Sequence, residues 1–119
     1  MRILIAEDHH DAAEVLRIMM ERWGHEARVA YDGIRALELA DLFLPHVALL
    51  DIVLPRMHGY ALARKLGLRL PAPRLVAVTA WGQDADRALS RNAGIEHHFL
   101  KPVDPQQLQN VLDTVTVLS

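Results

Sequence analysis

The feature of this sequence that most constrains its fold is a fivefold alternation of short apolar runs with longer segments of helical period. The runs occupy residues 3–6, 27–30, 47–50, 75–78 and 98–100. Those at 3–6, 47–50 and 75–78 are apolar throughout, as expected for central parallel strands covered on both faces. In the second run, Glu26 and Arg28 alternate with Ala27 and Val29, which is typical of an edge strand.

The intervening segments predict five helices. Apolar residues spaced by three and four predict a first helix that Gly24 ends; they are Ala12, Val15, Leu16, Met19, Met20 and Trp23. A second helix, capped by Asp32, is predicted through about residue 43, a third after Gly59, and a fourth over about 83–93. Asp104 and Pro105 form the start signal of the fifth.

This alternation predicts an α/β fold, a parallel five-stranded sheet with helices on both faces joined by right-handed crossovers. We expect a flavodoxin-like (βα)5 three-layer sandwich with strand order 2-1-3-4-5, because that order puts the more polar second strand at an edge. A chain of 119 residues has the length of one domain, so residues 1–119 are interpreted as a single unit.

Composition excludes some classes of function. The formal net charge is −2, which gives no electrostatic basis for direct binding to nucleic acid. Cysteine is absent, which excludes a disulfide framework and a thiol nucleophile. Glu7 and Asp8 interrupt the first apolar run before it could form a signal core or a membrane span. We therefore expect a cytoplasmic protein that does not insert into a membrane.

Polar residues follow four of the five predicted strands. The first strand ends in Glu7 and Asp8, the third in Asp51, the fourth in Thr79 and the fifth in Lys101. Ligands of open α/β sheets bind outside the carboxyl ends of the strands, where these side chains would converge. Taken singly, each has an ordinary explanation, such as a helix cap or a solvated lysine. Their joint position at one edge favours a functional site.

The residue types indicate the chemistry of that site. Three crowded carboxylates repel one another unless a cation intervenes, and an all-oxygen ligand set favours a hard ion such as Mg²⁺, with Mn²⁺ as a possible substitute. Asp51 could then act as a nucleophile toward phosphorus while Lys101 and Thr79 contact phosphoryl oxygens. Phosphoryl transfer needs mainly positioning and charge neutralisation, which such a set can supply.

The sequence resembles a known family, the receiver domain of bacterial two-component response regulators, over nearly its whole length. The matching segments, at 3–8, 51–59, 78–80 and 100–103, read ILIAED, DIVLPRMHG, VTA and LKPV. The stretch Trp81-Gly82-Gln83, with His97 and His98, is most similar to receivers attached to hybrid sensor kinases. Each segment alone is a weak signal, but the four together in this order and spacing are specific.

The resemblance implies a role for each matching position. Asp51 corresponds to the phosphoacceptor, and Glu7, Asp8 and the main-chain carbonyl of Val53 to further ligands of Mg²⁺. Thr79 corresponds to the switch hydroxyl, and Lys101, with a usually cis bond to Pro102, to the lysine that pairs with the phosphoryl group. The implied partners are a sensor histidine kinase or histidine phosphotransfer domain and an unidentified downstream protein. The resemblance thus implies a phosphoacceptor that changes the surface formed by its fourth helix, fifth strand and fifth helix, without turning over a separate substrate.

Three positions modify what the resemblance implies. His98 stands where the family usually has Tyr or Phe, which predicts weaker or pH-dependent coupling to the switch surface. Val53 and Trp81 occupy positions that influence loss of the phosphoryl group, and their apolar side chains predict slow hydrolysis.

Three other functions compete with that of a phosphoacceptor. A haloacid-dehalogenase-type phosphatase needs an acid two residues after its nucleophile, where this chain has Val53. A flavin or nucleotide binder would not have the acidic first loop, which repels phosphate. A degenerate receiver that binds proteins independently of phosphorylation stays as the alternative.

The seven histidines raise the possibility of a zinc site, but no pair has the i, i+4 spacing of helical ligands. We expect His9 and His10 to line the rim of the metal pocket, and His25 and His46 to be plain loop residues.

Overall fold

The computed structural model describes residues 1–80 and 84–115. Five strands alternate with five helices along the described chain. The strands are β1 (Arg2–Ala6), β2 (Glu26–Ala30), β3 (Val47–Leu50), β4 (Arg74–Thr79) and β5 (His97–Leu100). The helices are α1 (His10–Arg22), α2 (Gly33–Phe43), α3 (Gly59–Gly67), α4 (Asp84–Asn92) and α5 (Pro105–Asp113).

The strands form one parallel sheet in the order β2-β1-β3-β4-β5, which confirms the predicted fold and strand order. β2 lies at one edge, and its side chains alternate between exposed and partly buried positions up to the buried Ala30. The three central strands are buried almost throughout. Because all strands are parallel, their carboxyl ends lie along a single edge of the sheet.

Alternation along the strands divides the core between the two faces of the sheet. In β1, Leu4 packs in one apolar cluster with residues of α2 and α3 such as Leu39 and Leu62. Its neighbour Ile5 packs in a second cluster with Leu16 of α1 and residues of α5. Helices therefore cover both faces and leave the carboxyl edge open.

Local signals set most helix starts. Asp32 Oδ1 accepts a hydrogen bond from the Arg35 N–H at 2.8 Å, and Asp104 Oδ1 accepts one from the Gln106 N–H at 2.9 Å. Both predicted caps are therefore confirmed. Two histidines cap α1 and α3, since His9 Nδ1 accepts from the Ala12 N–H and His58 Nδ1 from the Tyr60 N–H.

Two histidines differ from their prediction as plain loop residues. The Nδ1 atom of His46 accepts a hydrogen bond from the Arg2 N–H at 2.8 Å and so ties the α2–β3 turn to the start of β1. His25 Nδ1 lies 3.1 Å from the amino group of Met1. Both rings therefore form contacts at the amino ends of the strands, on the side of the sheet opposite the candidate site. No helix in the described part of the chain has the length and apolar character needed to cross a membrane.

Candidate functional site

Three carboxylates meet at the carboxyl edge of the sheet. Glu7 and Asp8 directly follow β1 and Asp51 directly follows β3, so the pairing of these adjacent strands brings them together. One oxygen from each lies within 4.8 Å of the others. Glu7 is 2% exposed and Asp51 9% exposed, whereas Asp8 faces solvent. We call these three residues the acidic cluster.

Lys101 projects into the acidic cluster from the end of β5. Its ammonium donates to Asp51 Oδ2 at 3.0 Å and also pairs with Glu7 Oε1. The side chain of Lys101 is 28% exposed, so this cation is only partly hydrated. It offsets one of the negative charges that the fold has gathered there.

Burial and charge perturb the protonation equilibria of this site. Burial is the main cause of the raised pKa of Glu7, and nearby Asp51 adds to it, although the hydrogen bond from Lys101 acts in the opposite direction. Burial also tends to lower the pKa of Lys101, but its hydrogen bonds to Glu7 and Asp51 outweigh that effect and leave the pKa raised. Both shifts favour the protonated form, for Glu7 mainly because it is buried and for Lys101 because it pairs with two carboxylates.

The β3–α3 loop, residues 51–58, shapes the surroundings of Asp51. Asp51 Oδ1 accepts a hydrogen bond from the Val53 N–H at 3.1 Å, which folds the loop back over the carboxylate. The Ile52 carbonyl accepts one from the Gly59 N–H at 2.8 Å. Val53 itself is 49% exposed, so its apolar side chain lies at the rim of the site.

Thr79 and His98 lie near the same edge on neighbouring strands. Thr79 is the last residue of β4 and is buried, and its carbonyl accepts a hydrogen bond from the Lys101 N–H at 2.9 Å. His98 lies opposite Ala77 in the register of β4 and β5 and is partly exposed. The Lys101–Pro102 peptide bond is cis. Trp81, also singled out from the sequence, lies outside the described residues.

The histidines do not form a metal site of their own in the described part of the chain. Among residues 1–80 and 84–115, the only group of three or more potential ligands close enough to share an ion is the acidic cluster. His9 caps α1, and the ring of His10 stacks on Tyr31 with centroids 3.9 Å apart. This arrangement favours an oxygen-ligated ion over zinc.

An apolar groove that was not predicted from the sequence adjoins the site. It encloses about 430 Å³ beside α1, and Glu7 and Lys101 lie among its lining residues. Its apolar lining includes Val15, Leu16, Met19, Val78 and Val103. Val15 is 58% exposed. The sequence does contain a signal for this groove, because the apolar stripe of α1 is wider than the face of the helix that is buried in the core.

The fold and these contacts define a doubly wound α/β domain with three clustered carboxylates and an ammonium group at the carboxyl edge of its sheet. The model of the response regulator receiver domain family matches residues 3–113. The chain therefore belongs to this family, as its resemblance predicted.

Known proteins similar to the chain agree with this assignment. It is 31% identical over 116 residues to protein PilH of Pseudomonas aeruginosa, with 96% of each chain covered. It is 33% identical to the DNA-binding response regulator MtrA of Mycobacterium leprae but spans only 47% of that protein. Several other curated relatives are likewise more than twice as long as the matched region.

Among solved structures, one similar chain is the receiver domain of a sensor histidine kinase from P. aeruginosa, described with a magnesium ion coordinated in its active-site cleft. The TM-score is 0.86 at 27% identity, covering 96% of this chain and 95% of the other. A CheY-like receiver domain protein from Methanospirillum hungatei gives a TM-score of 0.88 at 28% identity, covering 94% of this chain and 90% of the other.

Proposed function

We propose that this chain is the phosphoacceptor of a two-component pathway, taking a phosphoryl group onto Asp51 in a Mg²⁺-dependent reaction. The observation that carries the proposal is the meeting of three carboxylates within 4.8 Å, with the Lys101 ammonium 3.0 Å from Asp51. Two buried acids in one pocket are costly for stability, and such an arrangement is typical of a functional site.

The donor set fits Mg²⁺. Glu7, Asp8 and Asp51 supply carboxylate oxygens, and the resemblance adds the main-chain carbonyl of Val53. An exposed Asp8 leaves one side of the cluster open to water, and Mg²⁺ usually keeps several water ligands. When bound, the ion would neutralise the carboxylates and the incoming phosphoryl oxygens. Mn²⁺ has similar ligand preferences and is expected to substitute.

The transfer step uses groups that the chain itself provides. A carboxylate oxygen of Asp51 forms a bond to phosphorus, the bond from phosphorus to the donor imidazole nitrogen breaks, and its electron pair stays on that nitrogen. Lys101 then exchanges its pairing with Asp51 for pairing with a phosphoryl oxygen. The Thr79 hydroxyl, at the adjacent strand end, donates to another.

We propose that the response to this step is a change of the surface formed by α4, β5 and α5. Thr79 on β4 and His98 on β5 are the residues through which the change would pass. Imidazole is smaller than the aromatic ring usual at this position, so His98→Tyr is expected to strengthen the coupling. Comparing phosphorylation-induced amide shifts in α4 and α5 between the two proteins tests this expectation.

The proposed donor is the phosphohistidine of a sensor kinase or phosphotransfer domain. The apolar groove supports a protein donor, because it places an apolar docking surface beside Glu7 and Lys101. The chain spans less than half the length of several relatives. The proposal therefore includes a downstream partner protein without identifying it. We also propose a cytoplasmic location and a stoichiometric acceptor role without turnover of a separate substrate.

The experiment is phosphorylation by acetyl phosphate or phosphoramidate, with and without Mg²⁺, followed by intact mass measurement. We expect one phosphoryl adduct that requires Mg²⁺ and is absent from Asp51→Asn. Absence of an adduct in the wild-type protein would favour the degenerate receiver. An adduct that persists in Asp51→Asn would place the acceptor elsewhere.

A further inference from the structure

The β3–α3 loop contains a residue in an unusual backbone conformation. Arg56 has φ of 67°, in the left-handed region that favours glycine. A residue with a Cβ atom pays a conformational cost there, so other contacts must maintain the loop. Val53, whose carbonyl is a proposed metal ligand, lies three residues earlier in the same loop.

An ion pair joins Arg56 to the start of α2. Arg56 Nη1 lies 3.1 Å from Asp32 Oδ2, and the other carboxylate oxygen of Asp32 caps the helix. The Asp32 side chain is only 18% exposed. One carboxylate therefore serves both the first turn of α2 and the apex of the β3–α3 loop, which are 24 residues apart in sequence.

Backbone contacts bring the same two segments together. The Gly33 N–H donates to the Pro55 carbonyl at 3.3 Å. A Cβ atom at Gly33 would lie 2.5 Å from Met57 Cβ, so the loop rests directly on the start of α2 at this point. Pro55, Arg56 and Met57 thus contact two adjacent residues, Asp32 and Gly33.

We propose that Arg56 and Asp32 are positioning residues for the metal site: their ion pair holds the β3–α3 loop against α2 and so fixes the Val53 carbonyl relative to Asp51. The inference deepens the proposed function and rests on it. Neither residue touches the metal or the phosphoryl group in this scheme. Both act through the loop conformation that begins at Asp51 and returns at Gly59.

Two simpler roles for the pair predict different results. If the two residues acted only by long-range electrostatics, loss of the positive charge would strengthen Mg²⁺ binding and loss of the negative charge would weaken it. If they were only structural, both substitutions would change stability without changing Mg²⁺ affinity. Positioning predicts that both substitutions weaken Mg²⁺ binding.

The experiment compares Arg56→Gln, Asp32→Asn and the double variant with the wild-type protein. Asn at position 32 keeps a side-chain oxygen that can accept the hydrogen bond from the Arg35 N–H. Gln at position 56, like Arg, is unbranched at Cβ, so the substitution leaves the backbone preference of this residue nearly unchanged. Mg²⁺ binding is measured by calorimetry, and phosphorylation of Asp51 by intact mass. Because one partly exposed ion pair is involved, we expect each single variant to raise the Mg²⁺ dissociation constant about two- to fivefold. The rate at saturating Mg²⁺ should stay near wild type.

The double variant should bind Mg²⁺ as weakly as either single variant, because each substitution alone removes the pair. Arg56→Lys, which retains the charge, should restore most of the affinity. Arg69→Gln serves as the matched control, since Arg69 pairs with Asp41 at the same 3.1 Å but far from the carboxyl edge. In the metal-free protein, Asp32→Asn should also speed hydrogen exchange at the Gly33 amide.

Tighter or unchanged Mg²⁺ binding in Arg56→Gln overturns the positioning role, as does strict additivity in the double variant. The proposed function fails separately, if the wild-type protein binds Mg²⁺ but acquires no phosphoryl group. If the wild-type protein binds no Mg²⁺ at all, both proposals fall.

Discussion

At the scale of single residues, His46 shows how a loop side chain can contribute to stability in a pH-dependent way. Its Nδ1 accepts from the Arg2 N–H at 2.8 Å and therefore cannot carry a proton. Burial, followed by the charge of Arg2, lowers the pKa of His46. The folded chain thus prefers neutral His46, whereas in the unfolded chain the ring titrates near its ordinary value of about 6.5.

The first prediction follows from the lowered pKa of His46. The contribution of His46 is complete above about pH 6.5 and is lost as the pH falls below that value, because the unfolded chain then binds more protons. In His46→Asn, whose amide oxygen can accept the same hydrogen bond without titrating, stability should fall less between pH 7.5 and 5.5. A difference of up to about 1 kcal/mol is expected in urea unfolding, the size of one hydrogen bond.

Equal pH slopes in the wild-type protein and His46→Asn would contradict the assigned role of His46. Sequence reasoning missed this residue for a physical reason. The acceptor role depends on how a turn meets the first strand 44 residues away, and no local pattern encodes that contact.

At the scale of elements, the junction between β3 and α3 depends on a glycine. A Cβ atom at Gly59 would lie 2.6 Å from the Asp51 carbonyl oxygen and from the Ile52 Cα. These are backbone atoms of the loop that starts at the proposed phosphoacceptor. A side chain at Gly59 would therefore have to move the loop or the helix.

We accordingly predict that Gly59→Ala destabilises the fold by about 1–3 kcal/mol, the usual cost of overpacking, and weakens Mg²⁺ binding. Gly67→Ala is the matched control in the same helix, where an added Cβ atom meets nothing within 4 Å. It should stabilise the fold by about 0.4–1 kcal/mol, because alanine restricts the unfolded chain more than glycine does. Urea unfolding of both variants measures the contrast, and similar stabilities would refute the close approach at Gly59.

The third prediction concerns the apolar groove beside α1. Val15→Asp puts a charge into a surface that a donor domain would bury, and an unpaired buried charge is strongly unfavourable. The ratio of the phosphorylation rate by a phosphohistidine protein to that by acetyl phosphate should fall about tenfold or more, an effect of at least about 1.4 kcal/mol. Acetyl phosphate has no docking surface of its own, so it normalises the intrinsic reactivity of Asp51.

Leu42→Asp is the control for this prediction, since Leu42 on α2 is 79% exposed and does not line the groove. Its rate ratio should stay at the wild-type value. If Val15→Asp also keeps that value, the donor binds elsewhere.

The strands and helices were predictable where the spacing of apolar and polar residues encodes them. The edge position of β2 followed from its polar alternation, and helix starts at Asp32 and Asp104 followed from capping chemistry. The β3–α3 loop has no period, so neither the left-handed Arg56 nor its pairing with Asp32 could be predicted. The histidine caps His9 and His58 were also missed, since histidine is not a typical capping residue.

At the scale of the whole molecule, the topology gathers charge that the sequence keeps far apart. Glu7 and Asp51 are separated by 43 intervening residues, and Lys101 approaches from the last strand. The meeting of their strand ends was predictable because every parallel strand delivers its last residue to the same edge. The contacts within the cluster were not, because strand order fixes which ends are neighbours but not which side-chain atoms meet.

The formation of the acidic cluster on folding predicts that Mg²⁺ stabilises the fold. In the unfolded chain Glu7 and Asp51 do not meet, so the ion would bind mainly the native state. At a hundredfold excess over its dissociation constant, Mg²⁺ should add about 2.7 kcal/mol to the free energy of unfolding. Thermal unfolding with and without Mg²⁺, at equal ionic strength set by NaCl, measures the increment and removes general screening.

Asp8→Asn tests whether the increment belongs to the acidic cluster. Asp8 is exposed, so its substitution should change the stability of the metal-free protein little while removing most of the Mg²⁺ increment. Asp11 is another exposed acid, at the start of α1 and outside the cluster, and Asp11→Asn should retain the full increment. If both variants keep it, or NaCl alone reproduces it, the ion does not bind where the strand ends meet. A loss confined to Asp8→Asn would tie metal binding to the convergence of those ends. Only the folded sheet brings the two acids that follow β1 beside the acid that follows β3.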